Sequence, residues 1–403
     1  MSVSTRSILL PAITIASILL STLVGEGMIR LAALFCPSIE HLGNAGSGRM
    51  PPVIRDFADY RALHQNELRP HQAWHGYYLN GLGFNDQEFT PQKAEGTTRI
   101  IALGDSFLYS MVDYPNNVMT LLESKLSRDC GRGVEVLNFG VPGASTWDYK
   151  TLYSLEATRY QADLVLVHLY LGNDAPDTVN GKDWLPEPGR HSYLATLVRN
   201  MYRLKTGHGN ETPRADAALE NRGSAVGAGV VDGVPPLTDA NPLLSKPPHT
   251  KEAWHRALKE ELMRFYIPSD ASTIERSWVR IFDILRELRA EVSTNGQQMV
   301  LVLYPSRLQI EDTVLSTAVA TFEHRRAPNF SRSSIDVNLP AKTISAFGAR
   351  EGITVIDLAT EIRQAAGASE GSLYVPGDTH WNIAGNAVAA RAEGAKLRDI
   401  VCR

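Results

Sequence analysis

Five residues spread along this chain could together turn a hydroxyl into a nucleophile. Ser106 ends the run Arg99-Ile-Ile-Ala-Leu-Gly-Asp-Ser106, at the exit of a short apolar stretch. Gly143 lies in Asn138-Phe-Gly-Val-Pro-Gly143-Ala-Ser-Thr146, and Asn173 in Leu171-Gly-Asn173-Asp174. Asp378 and His380 share the run Gly377-Asp378-Thr-His380-Trp-Asn382. A hydroxyl attacks poorly until a base takes its proton and polarised donors hold the oxyanion that follows. Candidates for all of those roles are present. Each residue also has a simpler reading. Ser106 could cap a helix, Gly143 could serve a turn that needs positive φ, and Asn173 and Asp174 could cap or turn. Most histidines are structural, as His168 is expected to be in the middle of Leu164-Val-Leu-Val-His168-Leu-Tyr170. His380 differs in having a carboxylate two residues before it.

The elements that must position these groups alternate between strand and helix from Arg99 onward. Strands are predicted at about 99–103, 134–139, 163–171, 298–304 and 353–357, each β-branched or aliphatic and too short for a helix. Between the first two, Asn116 to Ser127 carries Val118, Leu121, Leu122 and Leu126 on one helical face, and Asp129 through Gly133 breaks it. Before the fourth strand, Ser272-Thr-Ile-Glu275 has the form of a capping box. Ile274, Trp278, Ile281, Leu285, Leu288 and Val292 then line one face, and Asn295-Gly296 ends the helix. A helix feeding straight into Met299-Val-Leu-Val-Leu-Tyr304 reads as a crossover in a parallel α/β sheet. The last helix begins near Ile383. Ligands of such sheets bind outside the carboxyl ends of the strands. Ser106, Gly143 and Asn173 follow the first, second and third strands, and Asp378 and His380 lie in the loop after the last, so all five fall on one rim.

The bulk composition narrows the alternatives. The chain has 403 residues, 43% of them hydrophobic and 21% charged, which is ordinary for a globular protein. A net charge of −4 carries no basic excess, which argues against nucleic acid as a partner. Its three cysteines, Cys36, Cys130 and Cys402, form no Cys-x-x-Cys pair, so no zinc or redox centre is indicated. Ile8 to Val24 is uncharged and mostly apolar, with Arg6 before it, and reads as a membrane anchor or a signal peptide. Residues 1–25 are therefore read as the anchor and 26–95 as an extracytoplasmic stalk wrapping onto the catalytic domain. Residues 96–403 form the catalytic domain. Within that domain, no aromatic residue occurs between Tyr202 and Trp254, and the stretch at about 204–251 reads as a mobile insertion or a substrate lid.

The blocks around Ser106, Gly143, Asn173 and His380 resemble those of the SGNH hydrolases, a branch of the GDSL esterase and lipase group. The resemblance covers roughly residues 80 to 400, including the lead-in Asn80-Gly-Leu-Gly-Phe-Asn-Asp-Gln-Glu88, which is similar to membrane-tethered bacterial members. It implies a doubly wound, flavodoxin-like parallel sheet of five strands in the order 2-1-3-4-5. It also implies Ser106 as nucleophile, His380 as general base and Asp378 as its orienting carboxylate. The oxyanion would be held by the Ser106 and Gly143 N–H groups and the Asn173 amide. One departure stands out: most of the family separates acid and base by two residues, and here only Thr379 intervenes. That spacing, followed by Trp381, is more similar to the branch that includes alginate O-acetylation proteins.

The function expected from the resemblance is a serine ester hydrolase or O-acyltransferase working through an acyl-serine, with neither metal nor organic cofactor. Its substrate would be an acylated glycan of the cell envelope or a secreted one, with envelope polysaccharide machinery as a partner. The protein would be held in the membrane by a single N-terminal helix, its catalytic domain periplasmic or extracellular. A glycan-binding or envelope-assembly protein on the same fold is the alternative. In a sheet of that order the first and last helices pack on the same face. Cys130, just past the end of the first, and Cys402, at the end of the last, would then meet as a disulfide, which an oxidising compartment would preserve.

Overall fold

The computed structural model describes residues 54–172, 271–323, 335–369 and 371–403, with helix residues 20–32 and the single positions Thr14, Ser17 and Leu194. Five strands, β1 (Thr98–Gly104), β2 (Val134–Gly140), β3 (Leu164–Tyr170), β4 (Gln298–Tyr304) and β5 (Thr354–Asp357), form one sheet. Its order is β2-β1-β3-β4-β5 and every pairing is parallel. The order 2-1-3-4-5 and all five strand positions follow the sequence expectation to within a residue or so at each end. Strands buried on both faces need near-continuous apolar runs, and every residue of β3 is buried.

The helices are α1 (Phe57–Leu63), α2 (Ser106–Tyr109), α3 (Val118–Cys130), α4 (Thr146–Leu155), α5 (Ala271–Thr294), α6 (Arg307–Ile310), α7 (Asp312–Glu323), α8 (Leu339–Glu351), α9 (Ala359–Ala368) and α10 (Ile383–Val401). Successive strand residues point to opposite faces, and the core divides accordingly. Ile100, Ala102, Val136, Leu166 and Val302 pack with Leu122 and Leu126 of α3, Ile362 of α9, and Ala389 and Leu397 of α10. The buried residues Leu285 and Leu288 of α5 and Phe347 of α8 belong to the opposite layer, where α4 and α5 pack together. The sheet is doubly wound.

Local sequence explains the ends of α3. The Asn117 side chain caps it by accepting from Met119 N, and Gly131 closes it in the left-handed region at φ 62. The expected capping box before β4 fares less well. That helix already includes Ala271, so Ser272 lies inside it rather than at its cap. Its far end is as the sequence reads, with Gly296 at φ 72. Cys130 and Cys402 are disulfide-bonded, their Cα atoms 4.9 Å apart, so the bond joins the C-terminal ends of α3 and α10.

The chain divides into two compact units. One comprises Met1–Arg55 and Asn180–Asp232; the other comprises Asp56–Val179 and Gly233–Arg403 and holds the sheet. The second unit therefore begins at Asp56, well before the boundary at 96 read from the sequence. Tyr60, Leu68, Leu79 and Phe84 are buried in it. That stretch lacks periodicity because it covers the sheet as loops, α1 and a ribbon of two two-residue strands, Ala73–Trp74 and Tyr77–Tyr78.

Most of the expected membrane segment Ile8–Val24 lies outside the described residues, as does all of the insertion at 204–251. Among the described residues no helix is long and apolar enough to cross a membrane. Residues 20–32 are helical and expose Leu20, Leu23, Val24, Met28 and Leu31.

Candidate active site

Ser106 begins the one-turn helix α2, two residues beyond the end of β1. Asp105 is the N-cap, its Oδ1 accepting from Phe107 N at 2.9 Å. The capping role that a serine could have filled is thus taken by its neighbour, and the Ser106 hydroxyl is free for another partner. That partner is His380, whose Nε2 lies 2.7 Å from Ser106 Oγ. On the other side of the ring, Nδ1 lies 2.6 Å from Asp378 Oδ1. An ionised carboxylate only accepts, so Nδ1 carries the proton and Nε2 presents its lone pair to the serine. This is the tautomer that a general base requires.

A helix of one turn satisfies few of its own carbonyls, and three buried asparagines serve the last two of α2. Asn138 Nδ2 donates to Leu108 O at 2.9 Å, Asn117 Nδ2 to the same carbonyl at 3.0 Å, and Asn85 Nδ2 to Tyr109 O at 2.7 Å. They come from β2, from the cap of α3 and from the lead-in. The turn then reverses at Ser110, a non-glycine residue at φ 67, a conformation that costs on the order of 1–3 kcal/mol. Ser110 is held there by a hydrogen bond to Asn386 Oδ1 at 3.0 Å. Asn386 sits in the first turn of α10, so the serine's turn and the helix that follows His380 are tied together directly.

The loop before α10 explains how one intervening residue suffices between acid and base. Asp378 Oδ1 accepts both His380 N, at 3.0 Å, and His380 Nδ1. This is an Asx-type turn, in which a carboxylate binds the backbone two residues on; a longer spacing would break it. Arg307, in the first residue of α6 after β4, clasps the loop from outside. Its Nη1 donates to the Asp378 carbonyl at 2.8 Å, while Nε and Nη2 bind Glu311 Oε2. Phe107 lies against the His380 ring, centroids 5.0 Å apart and planes at 30°, and meets Trp381 edge-on. Neither Arg307 nor Phe107 was singled out in the sequence. The signal for Arg307 was its place at the exit of β4, a rim position that the sequence reading left without a role.

The electrostatics of the two acids differ. Burial pushes the Asp378 carboxyl up, but its hydrogen bonds to His380 and the charge of that ring outweigh this and hold it well below the ordinary carboxylate range. Burial pushes Asp105 up, and its hydrogen bond from Phe107 N and the nearby His380 and His168 offset this only in part. Its Oδ2 is buried and has no hydrogen-bond partner among the described residues.

The oxyanion candidates are placed unequally. The parallel register sets Gly104 beside Gly140, so Ser106 and Gly143 leave neighbouring strands on the same rim. Val141 N donates to Gly104 O at 3.1 Å and stitches the two exits together. Gly140 must be glycine, because a Cβ there would lie 2.4 Å from Tyr109 N. Gly143 is exposed and at φ 69, with open space where its Cβ would be, so backbone conformation is what calls for glycine. Asn173 lies outside the described residues, three positions beyond the end of β3. His168 is a core histidine, as expected: Nδ1 is 3.3 Å from Leu103 O and Nε2 is 2.9 Å from Glu393 Oε1. Among the described residues no cluster of side chains has the makings of a metal site.

Residues 268–400 match a protein family described as SGNH hydrolase-like domain, acetyltransferase AlgX. That segment includes Asp378 and His380, but Ser106 and Gly143 lie outside it. No curated protein matches the chain. Among solved structures, a lipase/acylhydrolase from Enterococcus faecalis is 13% identical with a TM-score of 0.34, covering 75% of this chain and 97% of its own. A catalytic mutant of an acetylxylan esterase from Geobacillus stearothermophilus is 10% identical with a TM-score of 0.38, covering 77% and 96%. Scores this low carry no inference about activity. Over residues 268–400, a third of its length, the chain is therefore similar to an SGNH hydrolase-like family of the alginate-acetylation branch.

Proposed function

We propose that this protein is a serine ester hydrolase or O-acyltransferase that works through an acyl-serine on Ser106. The observation that carries the reading is the continuous line of hydrogen bonds from Ser106 Oγ through His380 to Asp378, at 2.7 and 2.6 Å. In the proposed reaction His380 Nε2 takes the Ser106 proton as Oγ attacks the ester carbonyl, and Asp378 stabilises the imidazolium that forms. The Ser106 and Gly143 N–H groups and the Asn173 amide hold the oxyanion. The tetrahedral adduct collapses with His380 returning the proton to the leaving alcohol. Water or a sugar hydroxyl then attacks the acyl-serine, with His380 again as base.

The proposed substrates are acyl esters of cell-envelope or secreted glycans, and the proposed location is outside the cytoplasm, tethered by the N-terminal segment. Support for the first comes from the match to a family described by an acetyltransferase. Support for the second comes from the apolar run Ile8–Val24 and from the Cys130–Cys402 disulfide, a bond that persists in oxidising compartments.

The test is a fluorophosphonate probe with the purified protein, followed by acetylated and non-acetylated oligosaccharides as donor and acceptor. Labelling of Ser106 and release or transfer of acetate would sustain the reading. A wild-type protein that never labels and turns over no ester would leave glycan binding without catalysis. A reporter fused after residue 403 that is active in the cytoplasm would overturn the location.

A further inference from the structure

We propose that His64, acting through Asp148, is a positioning residue for the oxyanion loop that carries Gly143; the inference rests on the function proposed above. The loop runs from Val141 to Ser145, between β2 and α4. Within the loop Ala144 N donates to Val141 O at 3.1 Å, a turn with Gly143 at its third position, so where that turn presents the Gly143 N–H depends on how its two ends are held. One end is stitched to β1 by Val141 N donating to Gly104 O at 3.1 Å. The other end is Ser145, the N-cap of α4, and it is held by Asp148.

Asp148 does more than complete a capping box. Its Oδ2 accepts from Ser145 N at 2.7 Å and Ser145 Oγ at 2.9 Å. Its Oδ1 is 3.1 Å from His64 Nε2 and accepts from Tyr60 OH at 3.3 Å. A carboxylate has about four lone-pair positions, and these four donors account for all of them. Because an ionised carboxylate only accepts, His64 Nε2 carries its proton toward Asp148. Tyr60 and His64 come from α1 and its C-terminal cap, more than eighty residues earlier, and their rings pack at a tilt with centroids 4.4 Å apart. Both are buried, and burial together with the Asp148 charge pushes the Tyr60 hydroxyl well above its ordinary range.

A capping box alone needs only Ser145 and Asp148. The additional pair from α1 fixes Asp148 in space rather than merely along its own helix. It comes with a penalty, since His64 Nδ1 is buried without a hydrogen-bond partner among the described residues. The residue therefore does something that capping does not require. It ties the far end of the oxyanion loop to a segment lying outside the strand-and-helix core. Displacing the reacting groups by about 1 Å can cost on the order of 10²-fold in rate, so a loop whose far anchor, Asp148, has lost its His64 support is expected to lower kcat while leaving KM nearly as it is.

The experiment compares wild type with His64→Ala, His64→Gln and Tyr60→Phe. The readouts are kcat and KM on p-nitrophenyl acetate, thermal midpoint, and amide hydrogen exchange of the peptide spanning 139–148. For His64→Ala, kcat should fall about 10- to 100-fold with KM within about twofold, and exchange should quicken in that peptide but not in β3 or β4. His64→Gln puts an amide N–H close to the position of Nε2, and should recover kcat to within about threefold and restore slow exchange. Wild-type kcat in His64→Ala, a Gln variant as slow as the Ala variant, or unchanged exchange at 139–148 would each overturn the proposal. Tyr60→Phe leaves the His64 bond in place and should keep kcat within about threefold; a loss as large as that of His64→Ala would assign the anchor to Tyr60 and overturn the proposal. Should His64→Ala not fold, His64→Asn, whose shorter amide falls short of Asp148, takes its place, and unchanged exchange at 139–148 there overturns it equally. A wild-type protein without turnover would sink the function proposed above, while the exchange measurements would still decide the anchor.

Discussion

Ser106 and His380 stand 274 positions apart in the chain and meet at 2.7 Å. Neither is on a strand. Ser106 is presented by the one-turn helix leaving β1, and His380 by a loop closed on itself through Val375 N to His380 O at 2.9 Å. The meeting is secured by Ser110 bonding Asn386, a second link of the same long range. The hydroxyl and the ring are thus held by two independent tethers, so the geometry does not rest on the reactive hydrogen bond alone.

Replacing Ser106 with alanine should abolish fluorophosphonate labelling and lower ester turnover by on the order of 10⁴- to 10⁶-fold. The thermal midpoint should stay close to wild type, since the cap of α2 is Asp105. Labelling that persists at another residue would contradict the assignment.

Asp378→Asn should lower kcat by about 10⁴-fold, as loss of the orienting carboxylate does where it fixes a histidine tautomer. It should also change the acid dependence of stability. The folded-state carboxyl is depressed, so its contribution is fully present above the ordinary value near about 4 and is lost as the pH falls below it. Thermal midpoints of wild type and variant should therefore differ by a constant amount at neutral pH and converge in acid. Convergence between pH 5 and 8 would argue against the Asp378–His380 hydrogen bond as the source of the difference.

Asp105 carries the opposite sign. Its folded-state carboxyl is raised by burial, so ionising it costs stability as the pH climbs above about 4 through the folded value. Asparagine caps a helix about as well as aspartate and bears no charge. Asp105→Asn should be more stable than wild type at pH 7, and the advantage should vanish in acid. Asp105→Ala, which loses the cap, should fall below the Asn variant by about 1 kcal/mol. Chemical denaturation at two pH values would check both statements.

Reducing the Cys130–Cys402 bond, or replacing both residues with serine, removes a link spanning 272 positions. The expected loss is about 2–5 kcal/mol, the usual range for a native bond closing a long loop. Urea midpoints with and without reductant should separate for wild type and coincide for the double variant. Identical midpoints for wild type in both conditions would mean that the bond contributes nothing.

Much of this was legible in the sequence, for a physical reason. Strands buried on both faces leave unbroken apolar runs, and β1 to β5 were read from those runs. Groups at strand exits fall on one rim, which placed Ser106 and Gly143; Asp378 and His380 were read in the loop after the last strand, but α9 intervenes, and their own spacing is what marked them. The disulfide followed from the sheet order that the resemblance implies. What escaped was contact between side chains distant in sequence and set by no periodicity. The three asparagines on α2, Arg307 on the Asp378 carbonyl, and the His64–Asp148 pair all belong to that class. Residues 56–95 were read as a stalk because they lack a repeat, yet they supply Asn85, Tyr60 and His64. Asp105 and Ser106 are both good caps by residue type, and spacing could not say which one caps.

The great separation of Ser106 from His380 has a consequence in time. Synthesis proceeds at roughly 5–20 residues per second, so tens of seconds elapse between the appearance of the two residues. Throughout that interval Ser106 lacks His380, and Cys130 lacks Cys402, which emerges later still. On the proposed function, the growing chain therefore lacks its reacting pair until His380 has emerged. Reactivity and covalent closure arrive together, with the docking of α10.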